Sequence, residues 1–462
     1  MNLKDIQTAY FLGIGGIGMS AIARYFKHVG IRVLGYDKTE TPLTKKLTEE
    51  GMHIHYTDDV DYLKSLHLDV KHTLVVLTPA IPKDHMEWAW LRAGNFTIQK
   101  RSEVLGLLSA AYKTIGVAGT HGKTTTSSLV AHILTDSQVK CNAFLGGITS
   151  NYQTNLLLHP QAEVMPKEAQ YTVVEADEFD RSFLTLFPYY SVITSTDADH
   201  LDIYGEHSAM QESFLAYANR LVNGGTLWVK YGLDIIPSLK VNHKTYGLNP
   251  AADVFAFDIQ INEAEHVFSL NLNGKIVKNL SLGIPGMHNI ENAVAASAIA
   301  LESGVSEEEL RAALLSFRGV KRRFEYIIKE PNCVFIDDYA HHPEELKAIL
   351  GSVKRMYPNM ELVAAFQPHL FTRTRDFAAG FSEALSMADH MLLLDIYPAR
   401  ELPIEGVSSA MLLEKMTIAK KELVSKQELV ERVKVLQPKL FLTLGAGDID
   451  ALVEPIKNVL SK

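Results

Sequence analysis

Short apolar runs alternate with amphipathic stretches along most of the chain, which is the pattern of an α/β protein with largely parallel sheets. TAYFLG, a helical stretch over 17–28 and IRVLGYD together predict an opening βαβ unit. Further buried strands are predicted at 73–78, 114–118, 171–176 and 189–196, with a helix that begins at Lys123. Towards the end of the chain, VFIDD, ELVAAF, HMLLLDI and LFLTLG predict four more strands separated by helices.

The stretch 254–272 has a different pattern. VFAFDIQI and HVFSLNL alternate between apolar and polar positions, and the Asn273-Gly274 pair that follows is a hairpin signal. We therefore expect an antiparallel edge here. A helix is predicted next, over NIENAVAASAIALESG, with Gly304 as its C-cap.

Chain length and composition limit the architecture and the function. A chain of 462 residues exceeds what one hydrophobic core usually supports, so two or three domains are expected, with boundaries near residue 110 and at the basic segment 317–325. The net charge of −9 gives no electrostatic reason to bind nucleic acid or an anionic membrane. Two distant cysteines, Cys141 and Cys333, argue against a disulfide framework or a zinc cluster. With no signal-peptide pattern and no membrane-spanning apolar run, a cytoplasmic protein is expected.

A first glycine loop follows the first predicted strand. Gly13, Gly15 and Gly18 form G-x-G-x-x-G before a helix, and Asp37 ends the next strand. Such glycines let the backbone approach a diphosphate, and an acidic residue at that strand end binds a ribose hydroxyl. The motif alone does not distinguish NAD from another diphosphate-containing nucleotide, and a tight turn without a ligand is the simpler alternative.

A second glycine loop, GTHGKTTT at 119–126, also lies between a strand and a helix. It departs from the ordinary G-x-x-x-x-G-K-[ST] pattern, because Val117 occupies the position five residues before Gly122. Backbone amides from Gly119 onward can still surround a triphosphate, Lys123 can reach its β and γ oxygens, and the Thr124 hydroxyl can hold Mg²⁺. The two loops therefore predict two nucleotide sites on separate domains.

Three polar clusters follow predicted strands, where open α/β sheets bind ligands. EADEFDRSF (175–183) begins with Glu175, in the position of a Mg²⁺ ligand, although a solvated acidic loop is the simpler alternative. DADHLDIYG (197–205) contains His200 among acidic residues, and a lone histidine is usually structural. DDYAHHPEE (337–345) contains paired histidines that could do no more than cap a helix.

These segments together resemble the Mur ligase family from end to end and in the same order. The motifs that carry the resemblance are GIGGIGMS, GTHGKTTTS, EADEFDRSFL, DHLDIYG, PGMHNIENAVAA, FRGVKRRFE, DDYAHHP, FQPHLFTRTRDF, DIYPARELPIEG and LTLGAGDI. The resemblance implies three α/β domains: a Rossmann-like UDP-substrate domain over 1–110, a central P-loop ATPase domain over 111–320 with a mostly parallel sheet, and a Rossmann-like amino-acid domain over 321–462.

The resemblance also implies a reaction. It is greatest to the members that use ATP and Mg²⁺, with Mn²⁺ as a substitute, to join L-alanine to the lactoyl carboxylate of UDP-N-acetylmuramate through an acyl phosphate. The protein would then be a monomer or a weak homodimer. One alternative is the recycling ligase of the same family, which adds a preformed tripeptide to UDP-N-acetylmuramate. A nicotinamide-dependent oxidoreductase or a nucleotide switch is an alternative from another class.

Residues matching the family's motifs carry its expected sites. The UDP-substrate residues are Gly13, Gly15, Gly16, Gly18, Asp37 and Thr78. The ATP residues are Gly119, Thr120, His121, Gly122, Lys123, Thr124, Thr125, His288, Asn292, Arg323 and Asp338. The metal ligands are Thr124, Glu175 and His200, the amino-acid residues are His341, His369 and Arg373, and the catalytic residues are Lys123, His200, His341 and Arg373.

The chain departs from the family at one position of the expected amino-acid site. Many relatives have arginine directly after the histidine of the QPH segment, whereas this chain has Leu370. Arg373, or Arg375 in its place, is then expected to hold the alanine carboxylate. Because DADH supplies a histidine in the region where other members use a carbamylated lysine, no carbamylation is expected.

Overall fold

The computed structural model describes residues 3–160, 166–198, 201–262, 265–399 and 401–461. Its strands form three sheets, of five, ten and six strands. Contacts divide the chain into two compact units: Met1–Ala256 with Leu270–Ile276 and Asn292–Ala313, and Phe257–Ser269 with Val277–Glu291 and Leu314–Lys462. The prediction of an α/β fold with three mostly parallel sheets is confirmed.

The first sheet has the order β3-β2-β1-β4-β5, and all its strand pairs are parallel. Its strands are β1 (Thr8–Leu12), β2 (Arg32–Tyr36), β3 (His53–His55), β4 (Thr73–Leu77) and β5 (Thr97–Lys100). Its helices are α1 (Ile17–His28), α2 (Pro42–Glu49), α3 (Val60–Ser65), α4 (Met86–Ala93) and α5 (Arg101–Ala111). The chain reverses its direction of winding at β1, so the loop after β1 lies at the switch point where such sheets bind ligands.

The second sheet has the order β15-β14-β13-β12-β11-β10-β6-β9-β7-β8. Its strands are β6 (Lys113–Ala118), β7 (Asn142–Thr149), β8 (Thr154–Leu157), β9 (Tyr171–Glu175), β10 (Tyr190–Ile193), β11 (Thr226–Lys230), β12 (His243–Gly247), β13 (Val254–Asn262), β14 (Glu265–Leu272) and β15 (Lys275–Leu282). The helices of this region are α6 (Lys123–Asp136), α7 (Leu201–Tyr204), α8 (His207–Ala218), α9 (Met287–Glu302) and α10 (Glu307–Ser316). Here β6 lies between β10 and β9, both parallel to it, so the second glycine loop also follows a central strand.

The third sheet has the order β16-β17-β21-β18-β19-β20. Its strands are β16 (Glu325–Glu330), β17 (Cys333–Asp338), β18 (Leu362–Phe366), β19 (His390–Leu393), β20 (Lys420–Leu423) and β21 (Leu440–Leu444). Its helices are α11 (Pro343–Met356), α12 (Phe371–Asp376), α13 (Ala378–Leu385), α14 (Ser409–Lys415), α15 (Lys426–Leu436) and α16 (Val453–Leu460). All its pairs are parallel except β16 with β17, which is antiparallel.

Several local predictions are confirmed. The helix predicted over 17–28 has those bounds, and α6 begins at Lys123. The hairpin signal falls between β14 and β15, where Asn273 and Gly274 have φ angles of 51° and 95°, and Gly304, just after α9, has a φ of 98°. The alternating stretch forms β13 and β14, whereas the strand at that edge of the ten-stranded sheet is β15, which follows the hairpin.

No helix in the described ranges is both long enough and apolar enough to span a bilayer.

Candidate functional site

The first glycine loop is held in shape by Asp37. Gly13 has a φ of +87°, and a side chain there would collide with Thr78. The Gly15 N–H donates to Asp37 Oδ2 at 2.7 Å, and the Thr39 N–H donates to Asp37 Oδ1 at 3.2 Å. The carboxylate therefore fixes the loop from the end of the neighbouring strand, which sequence spacing alone does not show.

Two cavities adjoin this loop. The first, of about 490 Å³, is lined by Gly13, Gly16, Tyr36, Asp37, Lys38, Asp58, Thr78, Ala80, Ile81, Pro82, Asp84 and His85. The second, of about 320 Å³, is lined by Gly16, Ile17, Gly18, Met19, Ala21, Thr78, Arg101, Leu105, Phe144, Leu145, Gly146, Glu175 and Asp177. Gly16 and Thr78 line both, so the two cavities meet at the glycine loop. Of the predicted UDP-substrate residues, Gly15 lines neither.

The second glycine loop has the strained backbone of a phosphate-binding loop. Gly119 has a φ of +137°, and an added Cβ would lie 2.9 Å from Ser195 N. Gly122 has a φ of +80° and begins α6 as its N-cap, with Asn292 Oδ1 3.0 Å from where its Cβ would be. Both positions require glycine because of conformation and space together.

The side chains and amides between these glycines are held by the end of β10. Thr120 Oγ1 lies 2.8 Å from Ser195 Oγ, and the His121 N–H donates to the same oxygen at 2.7 Å. Thr125 follows in the first turn of α6 and is buried. These hydrogen bonds fix the shape of the loop, which lowers the cost of ordering it around phosphate.

Lys123 forms a buried ion pair with Glu178. Its Nζ lies 2.9 Å from Glu178 Oε1 and 2.8 Å from Oε2, and it donates to the Gly119 carbonyl oxygen at 2.7 Å. Glu178 has no exposed surface. Burial acts against the charged amine, but the negative charges of Glu178, Asp177 and Glu175 outweigh it and raise the pKa of Lys123 to about 12. Lys123 is therefore a permanent cation in the loop.

Thr124 and Glu175, two of the three predicted metal ligands, lie together. The Thr124 hydroxyl donates to Glu175 Oε1 at 3.0 Å, and the Gly146 N–H donates to Glu175 Oε2 at 3.1 Å. A hydroxyl and a carboxylate are the oxygen ligands that Mg²⁺ prefers, so these residues fit that ion. The third predicted ligand, His200, lies outside the described residues.

In the second unit, Asp338 at the end of β17 is enclosed by backbone donors. The Phe324 N–H donates to its Oδ2 and the Ala340 N–H to its Oδ1, both at 2.7 Å. Burial raises the pKa of Asp338 to about 6, although the charge of Arg323 and the two amides favour the carboxylate. Because both oxygens accept hydrogen bonds, Asp338 fixes the segment before β16 and the segment after β17.

His341 and His369 approach each other, with their ring centres 6.2 Å apart. His341 Nδ1 lies 3.0 Å from the Tyr339 carbonyl oxygen, and the His369 ring stacks on Tyr397 at 5.7 Å. Arg373 is buried on α12, with 8% of its surface exposed. The structure thus brings two of the predicted amino-acid residues together.

His342 and Leu370, the residues directly after these two histidines, have structural roles. His342 caps α11, accepting from the Glu344 N–H, so the simpler interpretation holds for the second histidine of the pair. Leu370, which follows the histidine of the QPH segment, has a φ of +70° and a ψ of 136°, a conformation that is strained for leucine. Its N–H donates to the Tyr397 carbonyl oxygen at 3.0 Å, which holds the strained residue in place.

Arg323 and His288 are the remaining predicted ATP residues of this unit. Arg323 Nη1 lies 3.7 Å from Glu345 Oε1, and its guanidinium lies 5.0 Å from the centre of the Tyr339 ring. Burial lowers the pKa of His288 to about 4, and the nearby positive charge of Arg355 acts in the same direction. His288 is therefore neutral at physiological pH.

Comparison with known proteins identifies the family. Three family models match consecutive parts of the chain: the Mur ligase family catalytic domain over residues 8–113, the Mur ligase middle domain over 117–300 and the Mur ligase glutamate ligase domain over 322–447. The chain belongs to the Mur ligase family.

Individual relatives agree with this assignment. A UDP-N-acetylmuramate–L-alanine ligase of Christiangramia forsetii is 47% identical over 460 residues, which is 99% of each chain. A protein of the same name from Porphyromonas gingivalis is 46% identical over 98% of this chain and 99% of its own length. Among solved structures, the UDP-N-acetylmuramate–alanine ligase of Thermotoga maritima has a TM-score of 0.78 at 28% identity and covers 98% of both chains. A murein peptide ligase of Psychrobacter arcticus shares the fold, with a TM-score of 0.68 at 21% identity and 99% coverage of both chains.

One important contact of this Mur ligase was missed by sequence reasoning. Glu178 was only one of several acidic residues in EADEFDRSF, yet it is the buried partner of Lys123. The sequence feature that could have indicated this role is the position of Glu178 in the acidic segment after β9. The segment continues into a 3₁₀ turn over Phe179–Thr185, in which Asp180 and Arg181 have positive φ angles, and no sequence pattern specifies which carboxylate that turn directs to the lysine.

The partly exposed, neutral imidazole of His288 predicts a pH-dependent stability of this Mur ligase. A histidine in the unfolded chain has a pKa near 6.5, and the folded value of about 4 is lower. The unfolded state therefore binds more protons, and the stabilisation, present above pH 6.5, is lost as the pH falls towards 4. Between pH 7 and pH 5 we expect a loss of about 2 kcal/mol in unfolding free energy. Calorimetric unfolding of wild type and His288→Gln should show a flatter pH dependence in the variant; parallel curves would contradict the assignment.

Proposed function

We propose that the chain is an ATP-dependent ligase that joins L-alanine to the lactoyl carboxylate of UDP-N-acetylmuramate, a step of peptidoglycan precursor synthesis. The observation that carries the proposal is the 47% identity, over nearly the whole of both chains, to a protein with that activity in its name. The murein peptide ligase is only 21% identical, which favours the amino-acid-adding reaction over the recycling one. A nicotinamide-dependent oxidoreductase is disfavoured because the second glycine loop has the Lys123 and Thr124 arrangement of a nucleoside triphosphate site.

The chemistry of the proposed reaction explains the need for ATP. A carboxylate is a poor acyl donor. Attack of the lactoyl carboxylate on the γ-phosphorus of ATP releases ADP and forms an acyl phosphate, which has phosphate as its leaving group. The alanine amine then attacks the acyl carbon, and the tetrahedral intermediate expels phosphate. The first step brings two anions together, so it requires positive charge that is already in place.

The second glycine loop supports this requirement. Its amides from Gly122 to Thr124 would face the ATP phosphates, and the permanent positive charge of Lys123 would neutralise part of their negative charge. Thr124 and Glu175 would hold Mg²⁺, with Mn²⁺ as a substitute, and the bound ion supplies further neutralisation of the phosphate charge. His200 as a ligand of a second ion remains a proposal, because it lies outside the described residues.

The first glycine loop would bind the UDP-sugar. The first cavity, with Asp37 and Tyr36 in its wall, accommodates the nucleoside, and the second leads from the loop to Glu175. The lactoyl group of a substrate bound in this way would extend towards Thr124, since that residue touches Glu175. The two cavities therefore support a path from the UDP site to the ATP loop.

Further residues of the expected sites lie in the second unit. The proposed ATP residues there are Arg323, Asp338 and His288, and the proposed alanine residues are His341, His369 and Arg373. The 6.2 Å separation of the two histidine rings supports a common site, and the burial of Arg373 suits a guanidinium that grips a carboxylate. We further propose domains over 1–110, 111–320 and 321–462, a cytoplasmic location, and a monomer or weak homodimer.

The decisive experiment is phosphate release from ATP with each substrate omitted in turn. Release that needs both UDP-N-acetylmuramate and L-alanine, with one amide product, supports the proposal. Release with the tripeptide L-alanyl-γ-D-glutamyl-meso-diaminopimelate but not with L-alanine would replace it by the recycling reaction. Hydrolysis that needs no amino acid would indicate a nucleotide switch.

A further inference from the structure

Arg101 lies directly on the first glycine loop. It is the first residue of α5, and its guanidinium packs over Gly18, where an added Cβ would lie 2.8 Å from Nη1 and 3.3 Å from Cζ. The guanidinium occupies the space that a side chain at position 18 would enter. The cation is therefore held at the beginning of α1, where the helix dipole and free N–H groups already favour an anion.

The charge of Arg101 is not neutralised within the described part of the chain. No hydrogen bond or ion pair of its guanidinium is found there. Among the described residues that line the second cavity it is the one cation, and the acidic side chains of that cavity are Glu175 and Asp177. The nearby cation Lys123 is paired with Glu178 and does not line this cavity. Arg101 is therefore the cation that can contact a ligand there.

The position of Arg101 also distinguishes the two sides of the loop. Arg101 lines the second cavity, which reaches Glu175, and is absent from the lining of the first, which contains Tyr36 and Asp37. The cavities meet at Gly16 and Thr78. A diphosphate at that junction has one phosphate towards the nucleoside and one towards the sugar, and Arg101 stands on the sugar side.

We propose that Arg101 binds the sugar-side phosphate of the UDP-sugar and thereby sets the direction in which the acyl end of the substrate enters the second cavity. This inference rests on the proposed function. A planar guanidinium with several donors is suited to a phosphate, and its position over Gly18 places it on one side of the loop. Arg101 is then a positioning residue for the phosphoryl-transfer step.

The test is calorimetric titration of the full chain with uridine, UMP and UDP. Wild type is compared with Arg101→Ala, with Arg101→Lys and with Arg92→Ala, a matched control that removes an exposed cation of the same domain. Arg101→Ala should bind UDP at least tenfold more weakly than wild type, and bind uridine and UMP within about twofold, because charge-assisted hydrogen bonds are lost only where the second phosphate is present. Arg101→Lys should recover part of the UDP affinity, and Arg92→Ala should match wild type.

Three results would overturn the inference. Equal weakening for uridine, UMP and UDP would mean that Arg101 merely supports the fold of the loop. Equal weakening for UMP and UDP would move the arginine to the nucleoside-side phosphate. Unchanged UDP affinity in Arg101→Ala would remove it from the site. Failure of the wild type to bind any of the three would instead contradict the proposed function.

Discussion

Lys123→Ala is expected to abolish ATP-dependent ligation while the affinity for UDP-N-acetylmuramate stays within about twofold of wild type. The ammonium is the permanent cation of the second glycine loop, and loss of one such electrostatic contact commonly lowers kcat by about 10²–10³-fold. The UDP-sugar cavities lie at the first loop, and Lys123 lines neither. Steady-state phosphate release and calorimetric titration with the UDP-sugar measure the two effects separately.

The same substitution should also destabilise the protein, because it leaves the buried carboxylate of Glu178 without its partner. Breaking a buried ion pair on one side costs about 3–5 kcal/mol. The double variant Lys123→Ala/Glu178→Gln removes the uncompensated charge, so we expect it to regain most of the thermal stability and none of the activity. Recovered turnover in the double variant would contradict the catalytic role of Lys123. Loss of UDP-sugar affinity in the folded single variant would contradict the assignment of the two loops.

The elements around both loops could be predicted from the sequence because their signals are local. An apolar strand, a glycine loop and a helix follow one another within about twenty residues, and neither β1–α1 nor β6–α6 depends on distant contacts for its pattern. Short, partly exposed strands were not predicted, among them HIH, TIQK and KKEL, because they lack an apolar run. Only pairing with a neighbouring strand makes these segments β-structure.

The types of functional residue at the site could be predicted from the sequence, but most of their hydrogen-bond partners could not. The positions of Thr124 and Glu175 follow from two strands that end at the same edge of a sheet, so their contact was accessible from topology. The hydrogen bonds of Asp37 and Asp338 to backbone N–H groups depend on how loops fold back onto strand ends. The bonded residues are 22 and 14 positions apart in the chain, and no periodic pattern in the sequence indicates such a contact. Both carboxylates, expected to hold ribose, also hold loop backbone: Asp37 fixes the first glycine loop, and Asp338 fixes the segments at Phe324 and Ala340.

Gly15→Val is expected to raise the KM for UDP-N-acetylmuramate at least tenfold and to leave the KM for ATP within about twofold. A Cβ at this position would lie 2.7 Å from Thr44 Cγ2 and 2.8 Å from Asp37 Oδ2, so the loop must move and lose its bond to Asp37. A valine side chain is larger still, and the displaced loop no longer presents its amides to the diphosphate.

Gly119→Ala provides the reciprocal experiment at the second loop. Its φ of +137° is unfavourable for alanine, and the added Cβ would approach Ser195 N to 2.9 Å, so the KM for ATP should rise while the affinity for the UDP-sugar is retained. Gly30→Ala is the matched control. Gly30 has a φ of +81° but nothing within 4 Å of an added Cβ, so it should cost a little stability and change neither KM. If Gly15→Val and Gly119→Ala each raised both KM values to the same extent, the loops would not serve separate nucleotides. A raised KM for the UDP-sugar alone in Gly15→Val, and for ATP alone in Gly119→Ala, would assign one substrate to each loop. The two loops would then be explained by the two nucleotides that the reaction uses.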